Sequence, residues 1–170
     1  GDKETWHLDQ WADDLEVFCK TLGIDSPIVF GQSFGGMVAM HHAARYPKSV
    51  SKLILSSTAA QFRLDETKKM MCKLGGDYAA EVVYQFFSKP SQAAYDTYGK
   101  VCLPRYSNLN TPAAGNFRDR AIERPEVALH FFSYEMARID MRSEIASITC
   151  PTLVIGGTID PVTPPICSQV

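Results

Sequence analysis

The sequence has no long apolar run, no strong excess of charge of either sign and no apolar leader. It contains no stretch of about 20 apolar residues, the length that a membrane-spanning helix needs. The formal net charge of −2 provides no strong field that would attract nucleic acid or an anionic membrane. The first four residues, GDKE, are polar, and we expect no signal segment. We therefore expect a cytoplasmic protein with neither nucleic acid nor membrane as a partner.

The cysteines also lack any recognisable grouping. There are five of them, an odd number, at wide and irregular spacing, and no two form a CxxC pair. This spacing argues against a zinc ribbon or a dithiol redox motif. We expect reduced, mostly buried thiols, and neither a metal nor a cofactor. The cysteines are Cys19, Cys72, Cys102, Cys150 and Cys167.

The composition is that of a globular protein with a core, because 45% of the residues are apolar and 21% are charged. Apolar side chains recur at helical spacing over residues 5–22, and Gly23 is well placed to end this helix. Residues 34–46 predict a second helix, which Pro47 stops.

Three short apolar runs predict buried strands. The first, at residues 27–30, suits a strand buried on both faces, the second lies at residues 50–55, and the third, with a glycine turn at its end, lies at residues 151–157. Between the second and third runs, residues 61–148 alternate helical patterns with breakers, and we expect the last helix of this stretch at residues 126–139. The whole order predicts an α/β fold with a parallel sheet and a helical cap over one edge of it.

The most informative residues are 31–36, which read G-Q-S-F-G-G and match G-x-S-x-G between a predicted strand and a predicted helix. Such a turn holds a nucleophilic serine, here Ser33, in a strained backbone conformation. We expect Gly31 and Gly35 to be small because the turn brings strand and helix close together. The N–H of Phe34, at the helix start, could bind the oxyanion of a tetrahedral intermediate. The remaining residues of this elbow are Gln32 and Gly36.

Asp160 follows the third predicted strand. Enzymes that use this kind of turn carry the acid and then the base after the nucleophile along the chain. A carboxylate at Asp160 could orient an imidazole and stabilise its charged form. The alternative is a turn aspartate before Pro161, a common pairing in loops. A phosphate-binding loop at residues 31–36 would require a nearby lysine, which is absent.

None of the four histidines follows Asp160. His41 and His42 lie about 12 Å from Ser33 along the helix axis, at about 1.5 Å per residue. Because proton transfer needs a separation of about 3 Å, we expect both to be surface or packing residues. We expect His7 to be solvated. His130 lies in the predicted cap, from where it could approach the site from above.

On these residues the chain resembles the α/β-hydrolases, and among them the proline iminopeptidase-like members with a helical cap. The resembling segments are the elbow, the helix around residues 11–15, and residues 53–58 and 150–157, with Asp160 at the acid position. The resemblance implies a partial hydrolase core at residues 1–60 and 149–170 and a cap at residues 61–148. It also implies a serine hydrolase that acts by acyl transfer on a small-molecule or short-peptide substrate.

Members of this family carry further strands before the part that this chain resembles, and a Gly-His segment after it. We therefore expect the chain to be an internal fragment of a longer enzyme, inactive alone because it lacks the triad histidine. We also expect the three strands to be neighbours whose outer edges are open. Since open apolar edges promote aggregation, the isolated chain should be poorly soluble or partly unfolded.

The resemblance leaves the substrate open. In iminopeptidases, cap carboxylates hold the free amino terminus of a peptide, which makes Glu123 and Glu135 the candidates here. The alternative is that both are solvated helix carboxylates. A carboxylesterase or lactonase is the nearest other activity, and a non-catalytic hydrolase fold that binds a small ligand is a second class.

Overall fold

A computed structural model of the chain describes residues 2–107 and 122–169. Five α-helices and three β-strands form its regular structure in these residues. In chain order they are α1 (Leu8–Thr21), β1 (Ile28–Gln32), α2 (Phe34–Arg45), β2 (Lys52–Ser56), α3 (Leu64–Ser88), α4 (Gln92–Val101), α5 (Pro125–Tyr134) and β3 (Thr152–Ile155). None of the described helices has the length and apolar character needed to cross a bilayer.

Helix α1 begins three residues later than the apolar pattern suggested. His7 has an extended backbone, and its Nδ1 atom accepts a hydrogen bond of 3.2 Å from the Gln10 N–H, so His7 caps the helix rather than extending it. A separate short 3₁₀ turn covers Lys3–Thr5. The predicted end is confirmed, because Gly23 follows the helix with a φ of +63°.

The three strands form one parallel sheet in the order β1-β2-β3, as predicted. Only one face of the sheet is covered by the described residues. Val29, Leu53 and Leu55 are buried on that face, which packs against α2. On the other face Phe30 is 61% exposed and Leu153 54% exposed. The prediction that β1 is buried on both faces is therefore wrong, because α2 covers β1 and β2 from one side. The prediction of a buried β3 is wrong as well, because all four of its residues are exposed.

The helices between β2 and β3 pack around an aromatic cluster. The Phe86 ring of α3 lies 4.5 Å from Tyr98 of α4 and 5.0 Å from Phe132 of α5. One of the sequence breakers between β2 and β3, the glycine pair at residues 75–76, is a kink within α3, where Gly76 takes a φ of +77°. The last helix is shorter than predicted: α5 ends at Tyr134, and a 3₁₀ turn, Met136–Arg138, follows it.

This helical segment leaves the sheet region and returns to it at adjacent points. The Met141 N–H donates a hydrogen bond of 2.8 Å to the Ala60 carbonyl, and Gln61 and Asp140 form an isolated antiparallel bridge. The helices between these two points, α3 to α5, therefore form one insertion that begins and ends beside the residues after β2. The division into a core and a cap at residues 61–148 stays a prediction. All five cysteines are free, and three of them are buried, as expected.

Candidate active site

The turn between β1 and α2 has the strained geometry that the sequence predicted. Ser33 has a φ of +50° and a ψ of −120°, a region that residues with a side chain rarely occupy. Its N–H donates a hydrogen bond of 3.0 Å to the Ser56 carbonyl, and its carbonyl accepts one of 2.7 Å from the Thr58 hydroxyl. These contacts with β2 and the residues after it hold the serine at the head of α2.

Two glycines allow the strand and the helix to approach each other at this turn. A Cβ atom on Gly31 would lie 2.4 Å from the Gly35 carbonyl oxygen, and one on Gly36 would lie 2.5 Å from the Thr58 Cβ. A Cβ on Gly35 would meet nothing within 4 Å. The expectation that close approach of strand and helix requires a small residue is therefore confirmed for Gly31 and wrong for Gly35. Close packing instead requires glycine at position 36.

Phe34 is the first residue of α2, so its N–H belongs to the first turn, where backbone donors have no partner within the helix. Such donors, together with the helix dipole, favour negative charge. The Phe34 ring contacts Trp11 at 4.9 Å and Phe131 at 4.8 Å between ring centroids. An oxyanion role for the Phe34 N–H stays a prediction, and this geometry is compatible with it.

Asp160 lies in the loop after β3, and backbone groups orient its carboxylate. Its N–H donates to the Gly157 carbonyl at 3.2 Å, which closes a turn. Its Oδ1 atom accepts hydrogen bonds of 2.9 Å from the Val162 N–H and 2.7 Å from the Thr163 N–H. Two backbone donors on one oxygen fix the carboxylate and leave its second oxygen for another partner.

Ser33 and Asp160 line the same cavity of about 430 Å³, together with Gln32. They reach it because β1 and β3 are parallel, and the loops after parallel strands emerge at the same edge of the sheet. The structure therefore brings together the two residues that sequence reasoning selected as nucleophile and acid.

A larger cavity of about 560 Å³ also reaches Ser33 and extends beneath the helices between β2 and β3. Its walls are mostly aromatic and aliphatic, and among the described residues three charged side chains line it: Asp96, Lys100 and Glu123. Sequence reasoning missed Asp96 and Lys100. The signal was present, since both lie on α4 close in sequence to Tyr95 and Tyr98, which line the same cavity.

The two predicted substrate-binding carboxylates have different positions. Glu123 lies on the large cavity. Glu135 is not among the described residues that line either cavity. Its Oε2 atom accepts a hydrogen bond of 3.0 Å from the Leu8 N–H, so it joins the end of α5 to the start of α1. An acidic group at a helix N-terminus interacts favourably with the helix dipole, so this contact gives Glu135 a structural role.

No histidine is found among the described residues lining the two cavities. His42 is fully buried and lies 2.9 Å from Glu16, and His41 lies between Asp9 and Glu144, so the expected packing role of both is confirmed. The His130 ring packs against Trp6 and Tyr134, with centroids 5.6 Å and 4.8 Å away.

The sequence matches the family described as alpha/beta hydrolase fold over residues 1–169. It is 27% identical to a proline iminopeptidase of Clostridium botulinum, over 95% of this chain and 59% of that protein. It is 30% identical to a pimeloyl-[acyl-carrier protein] methyl ester esterase of Neisseria meningitidis serogroup B, over 84% of this chain and 54% of that protein. The chain thus spans little more than half the length of these relatives.

Solved structures share the fold at lower identity. An alpha/beta fold family hydrolase from Bacillus anthracis superposes with a TM-score of 0.68 at 17% identity, over 99% of this chain and 63% of that one. The enol-lactonase from Burkholderia xenovorans superposes with a TM-score of 0.58 at 22% identity, over 95% of this chain and 58% of that one. With a strained serine between a parallel strand and a helix, and a family match over nearly every residue, the chain belongs to the α/β-hydrolase family.

Proposed function

We propose that this chain forms the nucleophile-bearing part of a serine hydrolase that cleaves an amide or ester by acyl transfer, in the manner of a proline iminopeptidase. The observation that carries the proposal is the strained Ser33 at the head of α2, sharing a cavity with an oriented Asp160 carboxylate. The cavity that reaches Ser33 has a volume of about 560 Å³, in the range of small-molecule sites, and this supports a small-molecule or short-peptide substrate.

In the proposed reaction the Ser33 oxygen attacks the acyl carbon while its proton passes to an imidazole. The Asp160 carboxylate holds that imidazole through the oxygen that Val162 and Thr163 leave available. The Phe34 N–H stabilises the oxyanion. The imidazole then protonates the leaving amine or alcohol, and water releases the acyl group by the reverse sequence. This reaction requires an imidazole at Asp160, and none of the chain's four histidines is among the described residues that line the cavity shared by Ser33 and Asp160.

For an aminopeptidase, Glu123 is the carboxylate that we propose to hold the substrate's free amino group. Its position on the cavity that reaches Ser33 supports this role, whereas the hydrogen bond from Leu8 to Glu135 supports a structural role for the other candidate. A carboxylesterase or lactonase is the second candidate, because most of the cavity wall is apolar and would also accept an acyl chain.

The proposal is tested by assaying the complete enzyme on proline-naphthylamide and on short acyl esters. We expect Ser33→Ala to abolish turnover on whichever substrate is cleaved while substrate binding is retained, since triad knockouts cost about a millionfold in turnover. Ser26→Ala is a matched control, because Ser26 has a similar φ of +47° but precedes β1 at its opposite end. Turnover retained by Ser33→Ala would end the assignment.

The same assay separates the two candidate activities. If the enzyme is an aminopeptidase, Glu123→Gln should raise KM for proline-naphthylamide and leave ester hydrolysis nearly unchanged, because only the first substrate carries an amino group. Preferred cleavage of esters, with no effect of Glu123→Gln, would instead favour the carboxylesterase.

A further inference from the structure

Three aromatic rings meet edge to face beside the turn that carries Ser33. The Phe34 ring lies 4.9 Å from Trp11 at an interplanar angle of 87°, and 4.8 Å from Phe131 at 72°. Trp11 and Phe131 also contact each other, with centroids 5.9 Å apart. The rings come from α1, from the first residue of α2 and from α5. Edge-to-face contacts are directional, so this closed set fixes the orientation of each ring.

The two sides of the turn are held in different ways. Hydrogen bonds from the Thr58 hydroxyl and to the Ser56 carbonyl hold Ser33 from the sheet side. Phe34 is held by its ring, which is 39% exposed and contacts Trp11 and the almost fully buried Phe131. The Phe34 N–H lies in the same planar peptide unit as the Ser33 carbonyl, which also accepts hydrogen bonds from the Gly36 and Met37 N–H groups. Those bonds set the direction of the N–H, whereas packing of the ring fixes the Phe34 Cα atom and therefore the position at which the N–H lies.

We propose that Trp11 is a positioning residue that acts through the Phe34 ring, with Phe131 as its second support, to hold the Phe34 N–H toward the oxyanion. This inference rests on the proposed function. An oxyanion donor is effective only when it is placed before the charge develops, and a displacement of about 1 Å can cost about a hundredfold in rate. Because the charge exists in the transition state, a misplaced donor lowers kcat more than it changes KM.

The test uses the complete enzyme on its better substrate, with Trp11→Leu as the main variant. We expect kcat to fall about tenfold with KM changed less than about twofold, because the donor is displaced rather than removed. Affinity for a trifluoromethyl ketone, whose adduct with Ser33 carries an oxyanion, should fall in parallel with kcat. Trp11→Phe retains an aromatic edge and should restore most of both. Trp6→Leu is the matched control, because the Trp6 ring contacts His130 instead.

Phe131→Leu provides a second variant, should Trp11→Leu fail to fold, and it should show the same parallel fall in kcat and ketone affinity. Because Phe131 also lines the cavity that reaches Ser33, KM is compared only for Trp11→Leu. The proposal is overturned if the folded variants keep wild-type kcat, or if kcat falls without the parallel loss of ketone affinity. Labelling of Ser33 by a fluorophosphonate separates failure of the positioning role from failure of the proposed function. If the wild-type enzyme is labelled and the variants keep wild-type kcat, only the positioning role is removed. Wild-type enzyme that fails to label would remove the proposed function as well.

Discussion

At Ser33 the backbone occupies a conformation that costs about 1–3 kcal/mol relative to ordinary regions. The cost is met by contacts to residues far along the chain, chiefly the hydrogen bond from Thr58 and the packing of Thr58 on Gly36. Strain at a residue that is supported on several sides is characteristic of functional positions. The support also explains which glycines of the turn can be replaced.

Gly36→Ala and Gly35→Ala should have opposite effects on stability. At position 36 the new methyl group would lie 2.5 Å from the Thr58 Cβ, so we expect a loss of about 1–3 kcal/mol. At position 35 the methyl group meets nothing within 4 Å, and alanine favours a helix by up to about 1 kcal/mol over glycine. Denaturant unfolding of the complete protein measures both. Equal destabilisation by the two substitutions would contradict the packing described at this turn.

Asp160→Asn should reduce turnover without unfolding the protein. The asparagine oxygen can still accept the hydrogen bonds from Val162 and Thr163, but the side chain no longer stabilises an imidazolium. We expect kcat to fall by about four orders of magnitude, with the melting temperature nearly unchanged. Asp25→Asn, at an exposed position, is the control. A variant that keeps more than about a tenth of its turnover would be inconsistent with Asp160 as the triad acid.

At this scale the sequence predicted the chemistry of the turn better than its packing. The G-x-S-x-G spacing was sufficient to select Ser33, since that motif has a local backbone requirement. The choice between Gly35 and Gly36 depends on Thr58, which lies 22 residues or more away along the chain. The position of Glu135 likewise depends on a contact with Leu8 that no local pattern encodes.

Between elements, α1 and α2 are joined by a buried polar contact. Glu16 of α1 is 5% exposed and lies 2.9 Å from His42 of α2 and 2.9 Å from the Ser49 hydroxyl. Burial alone would raise the pKa of Glu16, but its hydrogen bonds with His42, Lys20 and Ser49 outweigh burial, and the pKa lies below its usual value. The carboxylate form is therefore favoured in the folded protein.

This lowered pKa predicts a stability contribution that is lost in acid. It is present above the pKa of an unfolded glutamate, about 4.3, and disappears as the pH falls through the lower folded value. Glu16→Gln should lower the free energy of unfolding by about 1–3 kcal/mol at pH 7, and the difference should shrink below about pH 4. Urea unfolding across pH measures it, with the exposed Glu4→Gln as control. A difference that stays constant down to pH 3 would contradict this electrostatic explanation.

The order of the elements was largely predictable from sequence, whereas their burial was not. Apolar runs and turn residues predicted three parallel strands and their separating helices, because these patterns are local. Whether a second layer covers a strand depends on the rest of the molecule. Phe30 and Leu153 have the residue types of buried strands and are exposed here. The start of α1 at Leu8 depended on His7 acting as a cap, an uncommon residue for that position.

At the scale of the whole molecule, the described residues leave one apolar face of the sheet exposed to water. Phe30, Ile54 and Leu153 lie side by side in register across the three strands. We call this row the apolar sheet face. An apolar surface of this kind on a parallel sheet promotes association, as do unpaired strand edges.

The isolated chain should therefore self-associate, and charges on the apolar sheet face should reduce this. We expect the double variant Phe30→Lys and Leu153→Lys to shift the chain toward monomer in sedimentation experiments. Tyr78→Lys is a matched control, because Tyr78 is an exposed aromatic residue on α3, away from the sheet. A monomeric wild-type sample with a sharp, reversible thermal transition would refute the expected association.

The central claim is that Ser33 is an activated nucleophile, and labelling of the complete enzyme with a fluorophosphonate tests it most directly. Mass spectrometry of the digested protein should find a single adduct, on the peptide that contains Ser33. The adduct should disappear in Ser33→Ala and form much more slowly in Asp160→Asn. An adduct on a different serine, or no adduct in a preparation that hydrolyses substrate, would contradict the account.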